Sequence, residues 1–304
     1  MDIIHPIQWF PGHMSKSKRK IHDDLKYVNL LVEIIDARIP ISSRSPAFMG
    51  SILKPRLMLM NKSDIADPIF TTDWLVFLKK DNIQALAVDC KSGKGLDKFI
   101  PKVNELLRKE IAVWQNKGMG GRRIRIMVVG VPNVGKSSFI NRMADGKRAK
   151  VENRPGVTKE NQWFLAKNNI EILDTPGILS PKFEDQKVGE NLAFVGSIKD
   201  KILDIEIIAK KLLKKLLDLY PNLLKKRFNL KEYHLSDETA DNFEQKELRI
   251  DQIFHSIGQK RGMILPGGKI DTHRTANMLL DEFRNAKLGR ITLERSAEAS
   301  KESE

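Results

Sequence analysis

The sequence has little cysteine and no apolar run long enough to cross a membrane. Its one cysteine, Cys90, cannot form an internal disulfide or a cysteine-based metal cluster, which favours a reducing compartment. Apolar runs such as residues 127–131 fall far short of the roughly 20 residues in a spanning helix. No signal-peptide pattern is visible at the N-terminus. We therefore expect a cytoplasmic protein without a membrane partner.

Acidic residues are also scarce relative to basic ones. Lys and Arg total 53, Asp and Glu total 39, and the net charge is +14. This excess favours an anionic partner, with nucleic acid ahead of a membrane surface. Basic clusters lie at residues 16–20, at Lys210, Lys211, Lys214 and Lys215, and at residues 225–227. Each cluster is either a phosphate-contacting surface or an ordinary solvated face.

Short aliphatic runs alternate with amphipathic segments up to about Lys199, which is typical of a parallel α/β sheet. Strands are predicted at 28–36, 56–61, 85–90, 124–130 and 171–174, a possible antiparallel edge strand at 161–166, and helices at 73–80, 96–115 and 136–144. Beyond Lys199, Leu and Ile recur at helical spacing among lysines. The 304 residues therefore predict two domains, 1–199 and a mainly helical 200–304 with a frayed tail.

The strongest motif is G-V-P-N-V-G-K-S at residues 130–137, between an apolar strand and a helical pattern. In this context it predicts a loop whose backbone N–H groups surround a β-phosphate. Lys136 is expected to reach the β and γ oxygens, and the Ser137 hydroxyl to ligate Mg²⁺. The predicted nucleotide contacts of this loop are Asn133, Val134, Gly135, Lys136, Ser137 and Ser138.

A second motif, D-T-P-G, begins at Asp174 at the end of a predicted strand. Asp174 is expected to hold the Mg²⁺ shell, and the N–H of Gly177 to bind the γ-phosphate. Thr158 lies between the two phosphate motifs. Its position there predicts that it completes the Mg²⁺ shell when a γ-phosphate is present, which adds it to Lys136 as a candidate catalytic residue.

A third motif, N-K-S-D, consists of Asn61, Lys62, Ser63 and Asp64 at the end of an apolar strand. The Asp64 carboxylate can accept hydrogen bonds from guanine N1–H and from the exocyclic N2 amine, whereas adenine offers neither donor there. Lys62 is expected to lie along the base, and Asn61 to tie this loop to the phosphate loop. The motif therefore predicts GTP and GDP as ligands.

Together the three motifs resemble those of translation-factor-related GTPases, but with the base loop before the phosphate loop, as in circularly permuted GTPases. Residues 9–14, 36–40 and 260–262 are similar to segments of the ribosome biogenesis GTPase A family, and the resemblance covers about residues 7–293. It implies a P-loop GTPase fold of the α/β class, with a mostly parallel sheet in circularly permuted order and a small helical C-terminal domain.

This resemblance implies a GTP-hydrolysing factor in late maturation of the large ribosomal subunit. Such a factor binds rRNA or a precursor particle in its GTP state, leaves after hydrolysis and has no DNA partner. The resemblance also implies a second base-contacting loop at Asp89 and Cys90, where the sequence departs from the S-A-K pattern of other GTPases. Mg²⁺ is the expected cofactor, and an asparagine at the position of Asn133 suggests K⁺ beside the phosphates.

The residue after D-T-P-G is Ile178, where many small GTPases have a glutamine that positions water. An aliphatic side chain cannot do this, so intrinsic hydrolysis is expected to be slow. The resemblance suggests that His13 positions the water on the ribosome; a structural or RNA-contacting histidine is the alternative.

Two other functions remain open from the sequence. One is a nucleotide-gated regulatory module for a protein or membrane target, which could use the amphipathic basic helix near Leu212. The other is a GTPase that acts on tRNA, although the sequence has no cysteine or cofactor motif for such chemistry. Co-sedimentation with large subunits, against binding to anionic vesicles, separates the first alternative from the ribosomal function.

Overall fold

The computed structural model describes residues 19, 21–45, 54–144, 162–179, 185–230 and 243–296. In these ranges the strands form one sheet: β1 Leu30–Asp36, β2 Arg56–Asn61, β3 Gln84–Ala87, β4 Ile124–Val129, β5 Gln162–Ala166 and β6 Ile170–Asp174. The order across the sheet is β3-β2-β1-β4-β6-β5. Neighbouring strands are parallel except β5 and β6, which are antiparallel. The predicted fold class and antiparallel edge strand are therefore confirmed.

The sheet register explains why the motifs come together. Asp36 at the end of β1 is paired with Asn61 at the end of β2, and Val128 near the end of β4 is paired with Asp174 at the end of β6. Because the carboxyl ends of parallel strands share one edge of a sheet, the loops that follow them form a common surface. Every residue of β1 is buried, as expected of a central strand covered on both faces.

Helices pack around the sheet and make up most of the chain after it. They are α1 Pro68–Lys80, α2 Phe99–Leu106, α3 Arg108–Asn116, α4 Lys136–Met143, α5 Gln186–Phe194, α6 Ile205–Leu219, α7 Pro221–Phe228, α8 Phe243–Lys260 and α9 Thr272–Arg284. The single helix predicted over 96–115 is wrong. A 3₁₀ turn at Leu96–Lys98 precedes α2, and the chain leaves helical geometry at Leu107, which is fully buried, before the surface helix α3.

One hydrophobic cluster joins the sheet to the C-terminal helices. It includes Ile34 and Phe139 beside the sheet together with Leu212, Phe254 and Leu280 from the helices. Buried side chains from both sides of residue 200 share this cluster. The boundary between two domains near that residue therefore stays a prediction. In the ranges that the structure describes, no helix combines the length and the apolar character needed to cross a bilayer.

Candidate nucleotide-binding site

The phosphate loop connects β4 to α4 and owes its shape to left-handed backbone conformations. Gly135 has a φ of +106° and Asn133 a φ of +61°. A side chain at Gly135 would overlap Nδ2 of Asn61, so only glycine fits between the phosphate loop and the base loop. Lys136 and Ser137 form the first turn of α4, where the backbone N–H groups of a helix favour an anion.

Lys136 is buried inside this loop. Its ammonium donates to the carbonyls of Gly130 at 3.1 Å and Val131 at 3.0 Å. Burial lowers the pKa of Lys136 to about 8, and the Asp174 carboxylate opposes the shift. A phosphate beside this ammonium would therefore stabilise its charged form.

The residues expected at Mg²⁺ lie around the same loop. Ser137 is half-buried at the start of α4, and Asp174 is buried at the end of β6. Gly177 packs against the phosphate loop so closely that an added Cβ would lie 2.8 Å from N of Pro132 and 3.0 Å from Nζ of Lys136. A hydroxyl and a carboxylate are oxygen donors of the kind Mg²⁺ prefers, so these residues fit the ion.

Asn61 links three loops. Its Nδ2 donates to the carbonyl of Val134 in the phosphate loop at 2.6 Å, and its Oδ1 accepts from the N–H of Cys90 at 2.9 Å. The link that the sequence predicts between the base loop and the phosphate loop is thus present. The backbone N–H of Ser63 donates to the carbonyl of Val88, and Asp64 is exposed at the rim of the loop.

Lys62 is held by an ion cluster to which the sequence assigned no role. Its ammonium contacts Oδ2 of Asp36 at 2.8 Å, and Arg38 donates to the same carboxylate at 2.9 and 2.7 Å. Burial opposes ionisation of Asp36, but Arg38 and Lys62 outweigh it and hold the pKa of this carboxyl well below its ordinary value. Burial also lowers the pKa of Lys62, which Asp36 counteracts. In the sequence, the D-A-R segment of residues 36–38 indicates only a family resemblance and does not predict this ion cluster.

The second base loop is organised by Asp89. Its carboxylate accepts from the backbone N–H of Lys91 at 2.8 Å and of Ser92 at 3.2 Å, which closes a tight turn. Cys90 is buried, and burial raises the pKa of its thiol. The thiol is therefore protonated at neutral pH. A base contact in this loop remains a prediction for Asp89 and Cys90.

Two predicted residues, His13 and Thr158, lie outside the described residues. Ser138 is half-buried in the first turn of α4. The structure therefore brings together the phosphate loop, the D-T-P-G turn and both base loops at one edge of the sheet.

The lysine cluster of α6 has intramolecular partners. Lys210, Lys211 and Lys214 lie 2.7, 2.5 and 2.8 Å from Asp251, Glu190 and Glu247 respectively, and Nζ of Lys215 donates to Oδ1 of Asn191 at 3.0 Å. Partly exposed pairs of this kind contribute little to stability. They reduce the net positive charge on the lysine cluster of α6.

Comparison with known proteins gives consistent matches along the chain. A family model described as 50S ribosome-binding GTPase matches residues 125–247. Ribosome biogenesis GTPase A of Priestia megaterium is 44% identical over 295 residues, which cover 96% of this chain and 98% of that protein. The protein of the same name from Thermotoga maritima is 30% identical over 289 residues, covering 95% and 94%. The crystal structure of GNP-bound YlqF from T. maritima is similar with a TM-score of 0.59 and 28% identity, covering 92% of this chain and 98% of that chain.

Proposed function

The chain belongs to the ribosome biogenesis GTPase A family and is a GTPase, and we propose that it promotes late maturation of the large ribosomal subunit. It binds rRNA or the precursor particle in its GTP state and is released after hydrolysis. The observation that carries this proposal is the 44% identity across 96% of the chain, because it includes the C-terminal helices as well as the nucleotide motifs. We place the protein in the cytoplasm, where ribosomal precursors are its partners.

Guanine nucleotide is held by the loops at one edge of the sheet. Asp64 and Lys62 contact the base, Asp89 and Cys90 border it, and the phosphate loop holds the phosphates through Lys136. Support for this arrangement comes from Asn61, which hydrogen-bonds to both Val134 and Cys90 and so fixes the spacing of the three loops.

Ser137, Thr158 and Asp174 would hold Mg²⁺ at the phosphates. The ion neutralises charge on the phosphate oxygens when bound. Lys136 stabilises charge between the β- and γ-phosphates, and Gly177 offers its backbone N–H to the γ-phosphate. The contact between Gly177 and the phosphate loop supports this assignment.

Asn133 would hold a monovalent cation, K⁺, beside the phosphates. Nδ2 of Asn133 donates to the carbonyl of Gly196 at 2.7 Å, so the amide oxygen is the end suited to a cation. Single-turnover hydrolysis is expected to be faster in KCl than in NaCl at matched ionic strength. Equal rates in the two salts contradict a K⁺ site.

His13 positions the attacking water when the ribosomal partner is bound. Ile178 supports the need for such a group, because its side chain packs in a hydrophobic cluster with Leu31 and Val129 and cannot orient water. His13→Ala should abolish partner-stimulated hydrolysis while GTP binding and folding stay normal. Unchanged stimulation contradicts this role.

The helical region 200–304 forms the rRNA-binding domain and follows the nucleotide state of the GTPase domain 1–199. Support comes from two contacts behind the phosphate loop: Asn133 binds the carbonyl of Gly196, and Arg284 of α9 donates to the carbonyls of Phe194 and Ala193. Hydrogen exchange in α9 should differ between GDP and a non-hydrolysable GTP analogue. Matching patterns contradict this coupling.

The experiment that tests the proposed function is GTP turnover in potassium buffer with and without purified large subunits or their precursors. We expect strong stimulation with GTP, none with ATP, and none in Lys136→Ala. Salt-sensitive co-sedimentation with the particles should accompany it. Tight GTP binding without stimulation, together with binding to anionic vesicles, would instead favour the regulatory module.

A further inference from the structure

A short C-terminal segment, residues 290–294, crosses the base-binding side of the sheet; we call it the C-terminal strap. The backbone N–H of Ile291 donates to the carbonyl of Ile65 in the loop after β2, at 3.2 Å. The N–H of Leu293 donates to the carbonyl of Arg38 in the loop after β1, at 2.7 Å. The strap therefore joins the two loops that carry the N-K-S-D and D-A-R motifs.

Side-chain contacts anchor the strap at its C-terminal end and in its middle. The buried carboxylate of Glu294 accepts from the N–H of Ile41 at 2.6 Å and from Nδ2 of Asn191 at 2.8 Å. The carbonyl of Glu294 accepts from Nε1 of Trp74 at 2.9 Å. Thr292 is fully buried and shares hydrogen bonds with the hydroxyl of Tyr220. The strap is thus part of the packed structure.

Arg290 connects the strap directly to the base loop. Its Nε donates to the carbonyl of Ala66 and its Nη2 to the carbonyl of Ser63, both at 2.8 Å. These two carbonyls lie on either side of Asp64 in the sequence. The loop begins at Lys62 with a φ of +60°, an unfavourable conformation for a residue with a side chain. We therefore expect contacts from outside the loop to stabilise this backbone conformation.

We propose that Arg290 is a positioning residue for guanine recognition, because its guanidinium fixes the backbone on both sides of Asp64. The inference rests on the proposed guanine site. A carboxylate discriminates between bases only when it meets both donors of guanine at hydrogen-bonding distance and angle. Loss of Arg290 lets the loop shift, so the carboxylate no longer meets both donors at once and the N2 amine of guanine contributes less to binding.

The test is the ratio of dissociation constants for GDP and inosine diphosphate, which lacks the N2 amine. We expect the wild-type protein to prefer GDP by about 30-fold, the effect of one hydrogen bond to a charged group. Arg290→Ala should lower this preference by about fivefold through misplacement of the carboxylate. Arg290→Lys should give an intermediate value, because a single ammonium replaces the two guanidinium nitrogens that bind the two carbonyls.

The control is Arg274→Ala, which removes the same charge from α9 at an exposed residue whose carboxylate neighbour is Asp271. It should leave the ratio unchanged. If Arg290→Ala weakens both nucleotides equally and the ratio stays at the wild-type value, Arg290 only stabilises the fold and the inference is wrong. If Arg290→Ala is insoluble, Arg290→Lys is measured instead. A GDP preference equal to that of the wild-type protein would then contradict the inference.

Asp64→Ala separates this inference from the proposed site. If Asp64→Ala removes the preference for GDP and Arg290→Ala does not change it, the guanine site stands and the positioning role fails. If neither the wild-type protein nor Asp64→Ala distinguishes GDP from inosine diphosphate, the guanine site itself fails, and the role of Arg290 with it.

Discussion

The base loop and the phosphate loop are held in place by contacts of different range. Lys136 binds carbonyls five and six residues before it in the chain. Arg290 instead binds carbonyls 224 and 227 residues before it. The Lys136 contact on the phosphate side is therefore local, within one strand–loop–helix unit, whereas the Arg290 contact on the base side comes from the C-terminal strap.

This difference in range indicates which loop should respond to substitutions far from the nucleotide site. The longer-range partners of the phosphate loop, Asn61 and the carbonyl of Gly196, both lie outside the C-terminal helices. The base loop shares hydrogen bonds with the strap, which is in turn anchored to Asn191 of α5 and Tyr220 after α6. We therefore expect changes in the C-terminal helices to alter base selection more than phosphate binding.

The largest effect should follow loss of the buried carboxylate on the base side. Asp36→Ala leaves Arg38 and Lys62 without their shared partner, and such a change costs about 3–5 kcal/mol in the free energy of unfolding. Urea denaturation followed by circular dichroism measures it. Glu105→Ala, which removes the exposed pair with Lys102, is the control and should cost less than about 1 kcal/mol. Similar costs for the two variants contradict the structural importance of this cluster.

Lys136→Ala removes the ammonium group from the phosphate loop. We expect GDP to bind about 100-fold more weakly, which corresponds to about 2.7 kcal/mol for a lost charge-assisted hydrogen bond. Inosine diphosphate should weaken by the same factor, because the base loop is untouched. Titration with both nucleotides measures this, with Lys102→Ala as the control. A change in the ratio between the nucleotides would mean that the two sides are not independent.

A smaller effect is expected from Tyr220→Phe. This variant removes the hydroxyl that accepts from the N–H of Thr292 at 3.1 Å and lies 3.3 Å from Oδ2 of Asp67. We expect a loss of about 1–2 kcal/mol in unfolding free energy and a GDP preference reduced by about twofold. Thermal unfolding and nucleotide titration measure the two quantities. Tyr27→Phe, at an exposed tyrosine, should change neither.

A modest effect is also expected in the pH dependence of phosphate binding. The pKa of Lys136 is lowered to about 8 by burial, so the free protein loses this charge as the pH rises through that value. Phosphate binds the charged form, and GDP affinity should fall about fourfold from about pH 7 to about pH 8.5. Isothermal titration at several pH values measures it. The dependence should disappear in Lys136→Ala; its persistence there assigns it to another group.

The same difference in range explains what the sequence predicts well. The phosphate loop is contiguous from Gly130 to Ser137, so its motif and flanking strand and helix are visible in one window. The residue that supports the base loop is not visible in the same window, because Arg290 and Ser63 are 227 residues apart. The D-A-R segment signalled only a resemblance, since its ion cluster with Lys62 depends on the pairing of β1 with β2.

The helical region shows the same limit. Helical spacing predicted α6 and its apolar face, which the buried Leu212 and Leu216 occupy. The lysines of α6 were predicted as a charged surface, but their carboxylate partners come from α5 and α8. Helical periodicity identifies a face and does not identify the neighbouring helix.

The most direct test of base selection by the loop at Asp64 is the nucleotide preference of Asp64→Asn. Xanthine carries a carbonyl where guanine carries the N2 amine, so an asparagine amide can donate to xanthine where the aspartate accepts from guanine. We predict that Asp64→Asn binds xanthosine diphosphate more tightly than GDP, the reverse of the wild-type order. If the variant keeps the wild-type preference for GDP, this loop does not select the base.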